Sequence, residues 1–413
     1  MAKLLLKKWI LFLIITVFSF IIGVNTSIVF FHLFFWFLLC FIAINLIWLT
    51  VEYFGIRLYL NRKIVNKIDE DGLLEIETLI ENKGFLPAFN LVLEDNITCA
   101  GPQERKRLFL IEHIGMGSSL NIKYNCICPQ RGKYSLGPFS IYIFDPFNLF
   151  FLKKTYYNYS ELYVYPRTFN IKKFPNLVKG ILPWFGIDTI RVSGDEDEFF
   201  GTREYKEGDP LRRIHWISTA RKNRLIVKEY QRQSFFRATI LFNLEKEKNF
   251  GKGKERVAEY IIKIAASIAK YLIERGVSLE IIAHAGELVH IPFNKGPEHL
   301  EDIFKFLTIA QAQSGVSIGE VFEELSRYLP GDSNLIVITL DRDWKDLLAM
   351  LPLEKRNIAL IPLFLISSSF LYSIEKQKQE VIKDIEIKLS QKLNFSPIIV
   401  SWGDNLEEVF LKY

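Results

Sequence analysis

Residues 201–230 read GTREYKEGDPLRRIHWISTARKNRLIVKEY, and the apolar pattern of the chain changes period across them. Before this stretch, apolar residues alternate in short runs with strand spacing. After it, strand-like and helix-like runs alternate. Within it, Asp209-Pro210 is a helix start, because the Asp side chain accepts from the first free backbone N–H groups and Pro is preset for the first helical position. The spacing predicts a helix from Pro210 to Lys222 with Leu211, Ile214 and Ile217 on one face. Arg212, Arg213, Arg221 and Arg224 are left to find carboxylates, carbonyls or an outside partner. Asn223 is suited to end the helix, and Leu225 to Tyr230 alternates as a strand.

The same stretch resembles the membrane-anchored prokaryotic proteins catalogued as domain of unknown function 58. The residues that carry the resemblance are Glu198, Phe199, Arg203, Glu204, Tyr205, Gly208, Asp209, Arg212, Arg213, Ile214, Trp216, Ala220, Arg221, Leu225, Val227 and Glu229. A second set, Arg131, Gly132, Tyr134, Leu136, Gly137 and Pro138 with Asp145-Pro146-Phe147 and Leu149-Phe150, is similar to the same family. The resemblance implies a MoxR-type AAA+ ATPase and membrane transglutaminase-like proteins as associates. It implies no reaction.

Working outward to the N-terminus, Trp9 to Val24 and Ile28 to Val51 carry no charge and approach the roughly 20 apolar residues that a spanning helix needs. Asn25, Thr26 and Ser27 form a polar turn between them, so residues 1–56 read as a transmembrane hairpin. A cleaved signal peptide fits less well, since no small-x-small site follows the first run and a second span comes at once. Lys3, Lys7 and Lys8 precede the hairpin and Arg57, Arg62 and Lys63 follow it, which places both ends on the cytoplasmic side of the cell membrane. The chain is 413 residues long, 49% hydrophobic and of formal net charge +5. So small a charge argues against a dedicated nucleic-acid binder. Cys40 lies in a span, and Cys99, Cys126 and Cys128 have no four-ligand zinc spacing, so they read as buried thiols.

Residues 57–170 show short alternations broken by turn residues: Leu73 to Ile80, Phe89 to Leu93, Arg107 to Ile114, Leu120 to Cys128, Phe139 to Phe144 and Leu162 to Tyr165. That spacing predicts a β-sandwich of immunoglobulin-like type. Residues 171–236 read as a loosely packed connection carrying the motif, with aromatic surface at Pro183-Trp184-Phe185.

Residues 237–413 predict an α/β doubly wound domain, its ligand edge at the carboxyl ends of the strands. Strands are expected at Ala238 to Phe242, Leu279 to Ala283, Leu288 to Ile291, Leu335 to Leu340, Ile358 to Leu365 and Pro397 to Val400. Helices are expected at Arg256 to Arg275, Glu298 to Gln311, Ile318 to Tyr328, Trp344 to Met350 and Leu371 to Lys392. Placed after the motif, the domain resembles a von Willebrand factor A module. Such modules hold Mg²⁺ through an Asp-x-Ser-x-Ser loop, and the corresponding residues here are Asn243, Leu244, Glu245, Lys246 and Glu247. The Asp is replaced by an amide and both hydroxyls by carboxylates, while Lys246 and Lys248 add cations. Asp341 and Asp343 follow a later strand. No cofactor is expected, and Mg²⁺, which demands near-ideal oxygen geometry, is poorly served. His284 and His290 flank Gly286-Glu287 as satisfied loop histidines, and Gly251-Lys252-Gly253-Lys254 lacks phosphate-loop spacing.

These readings combine into a membrane-anchored, non-enzymatic adaptor whose A-type domain binds another protein at the carboxyl edge of its sheet. The alternative is a cell-envelope hydrolase with Glu245, Glu247, Asp341 and His284 at the sheet edge, for which no nucleophile and base stand at motif spacing. Within the motif, Arg203, Arg212 and Arg221 are expected to clamp Glu198, Glu204, Asp209 or Glu229, because guanidinium pairs bidentately with carboxylate.

Overall fold

The computed structural model describes residues 2–26, 28–175, 177, 180–181, 199–206, 209, 211, 214–230, 234–326, 328–331, 333–370 and 397–412. They divide into two units, Met1–Arg167 and Thr168–Tyr413.

The first unit begins with α1 (Ala2–Thr26) and α2 (Val29–Gly55). Trp9–Thr26 and Val29–Gly55 are long and apolar enough to cross a membrane. Helix α1 takes in Asn25 and Thr26, so the turn is shorter than the sequence suggested; Ser27 lies outside the described residues. Ten strands follow: β1 (Leu58–Ile64), β2 (Lys67–Asp69), β3 (Leu73–Asn82), β4 (Ala88–Asn96), β5 (Lys106–Ile114), β6 (Ser119–Ile127), β7 (Gly132–Leu136), β8 (Phe139–Phe144), β9 (Phe151–Tyr156) and β10 (Ser160–Tyr165). They form sheets of order β1-β3-β6, β5-β4-β8-β9 and β2-β10-β7.

Strand β3 shows why the sheets close on one another. Leu74, Ile76, Thr78, Ile80 and Asn82 are buried at every second position while Glu75, Glu77, Leu79 and Glu81 turn outward, the period-two pattern of a strand with one covered face. The core joins Leu58, Leu60 and Ile80 of one sheet to Ala88, Leu91, Leu93, Ile111, Phe139, Ile141 and Ile143 of another. Leu49 and Ile56, from and just after α2, enter the same core. Arg62 is wholly buried there, ion-paired with Asp95, which also accepts from the Tyr124 hydroxyl. Its guanidinium lies 4.1 Å from the Phe139 ring centroid. Arg62 is therefore an interior cation, and does not add to the juxtamembrane positive charge counted from the sequence.

The second unit contains β11 (Gly180–Ile181), β12 (Phe199–Glu204), α3 (Trp216–Lys222), β13 (Ile226–Tyr230), β14 (Ser234–Phe235), β15 (Arg237–Asn243), α4 (Val257–Glu274), β16 (Ser278–His284), β17 (Leu288–Asn294), α5 (Pro297–Ile309), α6 (Ile318–Leu325), β18 (Asn334–Leu340), α7 (Trp344–Met350), β19 (Ala359–Leu365), β20 (Ile398–Val400) and α8 (Leu406–Leu411). Its main sheet has the order β17-β16-β15-β18-β19-β20, parallel except for β17. Neighbouring residues of the central strands feed opposite cores. Ile240, Phe242, Ile336, Ile338, Leu363 and Leu365 pack with α4 on one face, whereas Leu241, Leu335, Val337 and Phe364 pack with α6 and α7 on the other. Each such side chain contributes about 1.5–3 kcal/mol on burial, so helices are held on both faces of the sheet. The helix expected over Leu371 to Lys392 falls on 371–396, outside the described residues.

The connection is not loose at its start. Ile171 is buried in the α/β core with Phe169, Phe174 and Leu177 packed beside it, and the Phe169 N–H donates to Ser267 Oγ at 3.0 Å. Pro183-Trp184-Phe185 lies outside the described residues.

Candidate functional site

Two places in the second unit gather the residues singled out from the sequence: the motif around α3, and the carboxyl edge of the parallel sheet.

In the motif, α3 starts at Trp216 and not at Pro210. The competing interaction is strand-like: Ile214 bridges Val227, and the His215 N–H donates to the Ile226 carbonyl at 2.8 Å, which holds Ile214 and His215 against β13 and out of the helix. His215, not Asp209, caps the helix, its Nδ1 accepting from the Ser218 N–H at 3.3 Å. Asn223 ends it in the left-handed conformation, φ 52°, and β13 pairs antiparallel with β12. Asp209 instead receives Arg203 bidentately, at 2.6 and 2.7 Å, and the Lys206 N–H at 2.8 Å. The arginine bonds hold the Asp209 carboxyl at about 2, well below the usual range, and the Lys206 N–H adds to the effect.

The clamp is thus made by Arg203 and Asp209. Arg221 is exposed on α3, and Arg224 forms a surface ion pair with Glu204. The Tyr205 N–H donates to the Leu225 carbonyl at 2.9 Å, tying the two sides of the motif together. Ala220 sits on α3, exposed. Gly208, Pro210, Arg212, Arg213 and Glu198 lie outside the described residues. The apolar face expected of Leu211, Ile214 and Ile217 is split: Ile214 is buried, while Leu211 is 66% and Ile217 67% exposed, with Trp216 also at 67%. Helix α3 has no buried residue.

At the sheet edge, β15 delivers Asn243 and, just beyond it, Glu245; β18 delivers Thr339, and the turn after it Asp343. Over a floor that includes Ile261, Ile318 and Ile338, Lys248 reaches back between two carboxylates. Its Nζ lies 2.8 Å from Glu245 Oε2 and 2.6 Å from Asp343 Oδ1. Asn243 Nδ2 donates to the Val316 carbonyl at 2.5 Å, while Asn243 Oδ1 is buried without a hydrogen-bond partner. Burial pushes the Glu245 carboxyl up against the opposing pull of Lys248. Burial also opposes the charge on Lys248, but the hydrogen bonds to Asp343 and Glu245 prevail and raise its pKa.

The remaining edge residues have other engagements. Glu247 and Lys246 are exposed. Asp341 accepts from the Ser367 N–H at 2.9 Å and from its hydroxyl at 2.7 Å. Asp343, two residues further on, supplies the edge carboxylate. His290 Nε2 is 2.7 Å from Glu280 Oε1, and Glu280 accepts from the Thr239 hydroxyl. His284 Nδ1 is buried without a hydrogen-bond partner. Glu245, Glu247, Asp341 and His284 therefore have separate surroundings. These residues do not fit Mg²⁺: an ammonium stands where the two carboxylates converge, and the amide at position 243 turns a donor toward Val316. Lys248 was legible as a cation in the loop, but its span to Asp343 depends on a contact 95 residues away.

No curated protein matches the chain. Among solved structures, the CARDB domain of the PF1109 protein from Pyrococcus furiosus, in complex with di-metal ions, is similar at 13% identity over 27% of this chain and 89% of that one, with a TM-score of 0.20. The alkylpurine DNA glycosylase AlkC of Pseudomonas fluorescens, bound to DNA containing an abasic site analog, is similar at 12% identity over 27% of this chain and 30% of that one, with a TM-score of 0.16. Scores this low leave the architecture to be read from the strand order itself. Residues 201–361, from β12 through the edge site into β19, match the family described as Protein of unknown function DUF58.

Proposed function

We propose that this protein is a membrane-anchored adaptor that binds another protein through the motif around α3. The strand-rich body of the first unit reads as an immunoglobulin-like sandwich and the second unit as a von Willebrand factor A-like domain whose metal position is taken by Lys248. The sandwich reads as a spacer or a binding module. Both soluble bodies lie on the cytoplasmic side.

The observation that carries this reading is the exposure of Leu211, Trp216 and Ile217 within the most specific stretch of the sequence. Large exposed apolar side chains within the same short stretch of chain as Arg221, Lys222 and Arg224 are the composition of an interface core with a cationic rim. By resemblance, the partner is a MoxR-type AAA+ ATPase, with membrane transglutaminase-like proteins in the same assembly, and the process is the remodelling of envelope complexes.

The test is cross-linking and co-purification of the full chain from native membranes. Wild type should carry the ATPase, and Trp216→Ser with Ile217→Ser should lose it without a change in melting temperature. Equal recovery of the ATPase with both chains would refute the assignment of the docking face.

A further inference from the structure

Cys99, Cys126 and Cys128 are brought together inside the first unit, where their sulfurs all lie within 4.8 Å of one another. Cys126 and Cys128 stand two residues apart at the end of β6 and so share a face, and Cys99, just past β4, closes on them, its Sγ 3.2 Å from that of Cys128. All three are almost wholly buried, at 2%, 2% and 0% exposure. A metal–thiolate bond of about 2.3 Å sets the three sulfurs of a trigonal site about 4.0 Å apart, within the observed span.

The surroundings favour a negative cluster. Arg107 attracts Cys126 and has its Nε buried without a hydrogen-bond partner; Arg62, close by, has Nε and Nη1 in the same state. Asp95 pairs with Arg62 and Glu104 with Arg107, so the two cations arrive already matched by two carboxylates.

We propose that the three cysteines form a binding site for a soft monovalent cation of the Cu(I) type, held in three-coordinate sulfur. Zn²⁺ in a structural site takes four ligands, and among the described residues this group includes no histidine or carboxylate. Sulfur donors select Cu(I). Three thiolates around a monovalent cation leave two net negative charges, and Arg107 is the cation that attracts them at Cys126. Binding then releases three protons, one from each thiol that becomes a thiolate.

The test uses the full chain in detergent on a Cys40→Ser background, loaded anaerobically with Cu(I) and dialysed against a graded Cu(I) chelator, with Zn²⁺ loaded in parallel. One equivalent of copper should be retained, X-ray absorption should show three sulfur neighbours, and Cys99→Ser, Cys126→Ser or Cys128→Ser should each weaken retention on the order of a hundredfold, the upper scale known for supporting groups alone. Should the variants fail to fold, the sulfur count on the parent protein decides. Loss of copper to the weakest chelator, fewer than three sulfurs, unchanged retention in a folded variant, or retention of Zn²⁺ in preference to copper would each overturn the proposal.

Discussion

Lys248 Nζ lies 2.6 Å from Asp343 Oδ1 and 2.8 Å from Glu245 Oε2, so the carboxyl edge of the sheet carries its own cation, covalently attached. Wild-type protein should melt at one temperature in EDTA and in millimolar Mg²⁺. Differential scanning calorimetry on the full chain checks this, and a rise of several degrees with Mg²⁺ would show that the ammonium does not satisfy the site.

Removing that cation should create a demand for another. Lys248→Ala leaves two converging carboxylates, at a cost of about 2–3 kcal/mol, between the values for exposed and fully buried pairs. Divalent ion in hundredfold excess over its dissociation constant should then restore about 2.7 kcal/mol. The readout is a Mg²⁺- or Ca²⁺-dependent melting temperature that appears in the variant and is absent from wild type.

The buried Arg62–Asp95 pair predicts a larger and simpler loss. Arg62→Ala strands the Asp95 carboxylate in the core and should cost about 3–5 kcal/mol. Replacing both residues by apolar ones of similar volume should recover most of that in chemical denaturation. A double variant no more stable than the single one would place the cost in lost packing against Phe139.

The Arg203–Asp209 contact gives a pH signature. Because the folded carboxyl titrates at about 2, below its ordinary 3.8, the stabilisation is fully present above the ordinary value and is lost as pH falls towards the folded one. Carboxyl-carbon NMR on labelled protein should follow Asp209 down to about 2, and Arg203→Gln should return it to the ordinary range.

Orientation across the membrane cannot be reported by the native sandwich thiols, which are buried. Tyr157 is 77% exposed, so Tyr157→Cys on a Cys40→Ser background is the better probe. In sealed cells it should resist an impermeant maleimide, while Ile28→Cys between the helices should react. The reverse pattern would place the soluble bodies outside.

How much of this was legible in the chain follows from the range of the interactions involved. The central strands of the second unit's main sheet could be read because each is a short run of side chains buried on both faces, the edge strand β17 because it alternates, and Trp344–Met350 was bounded correctly by local pattern. Strands β1, β2, β7 and β9 were missed: Leu58–Ile64 directly continues a membrane span, and Phe151–Tyr156 carries Lys153 and Lys154 within it. Asp209-Pro210 promised a helix, but the pairing of Ile214 with Val227 overrode it. Single sequence spacing also hid the cysteine cluster, since Cys99 meets the other two only through the packing of the sheets. Asp341 and Asp343 were equally plausible from sequence, and only the turn after β18 decides between them.

Helix α2 passes into β1 across Ile56 and Arg57 alone, and the joint is bonded on several sides. The Phe89 N–H donates to Glu52 at 2.8 Å, and the Lys83 N–H to the Arg57 carbonyl at 2.8 Å. A Cβ at Gly84 would meet the Gly55 carbonyl oxygen at 2.4 Å. A joint this tight has no swivel. A load on the strand-rich body therefore passes into α2 as torque, and helix and body turn as one lever.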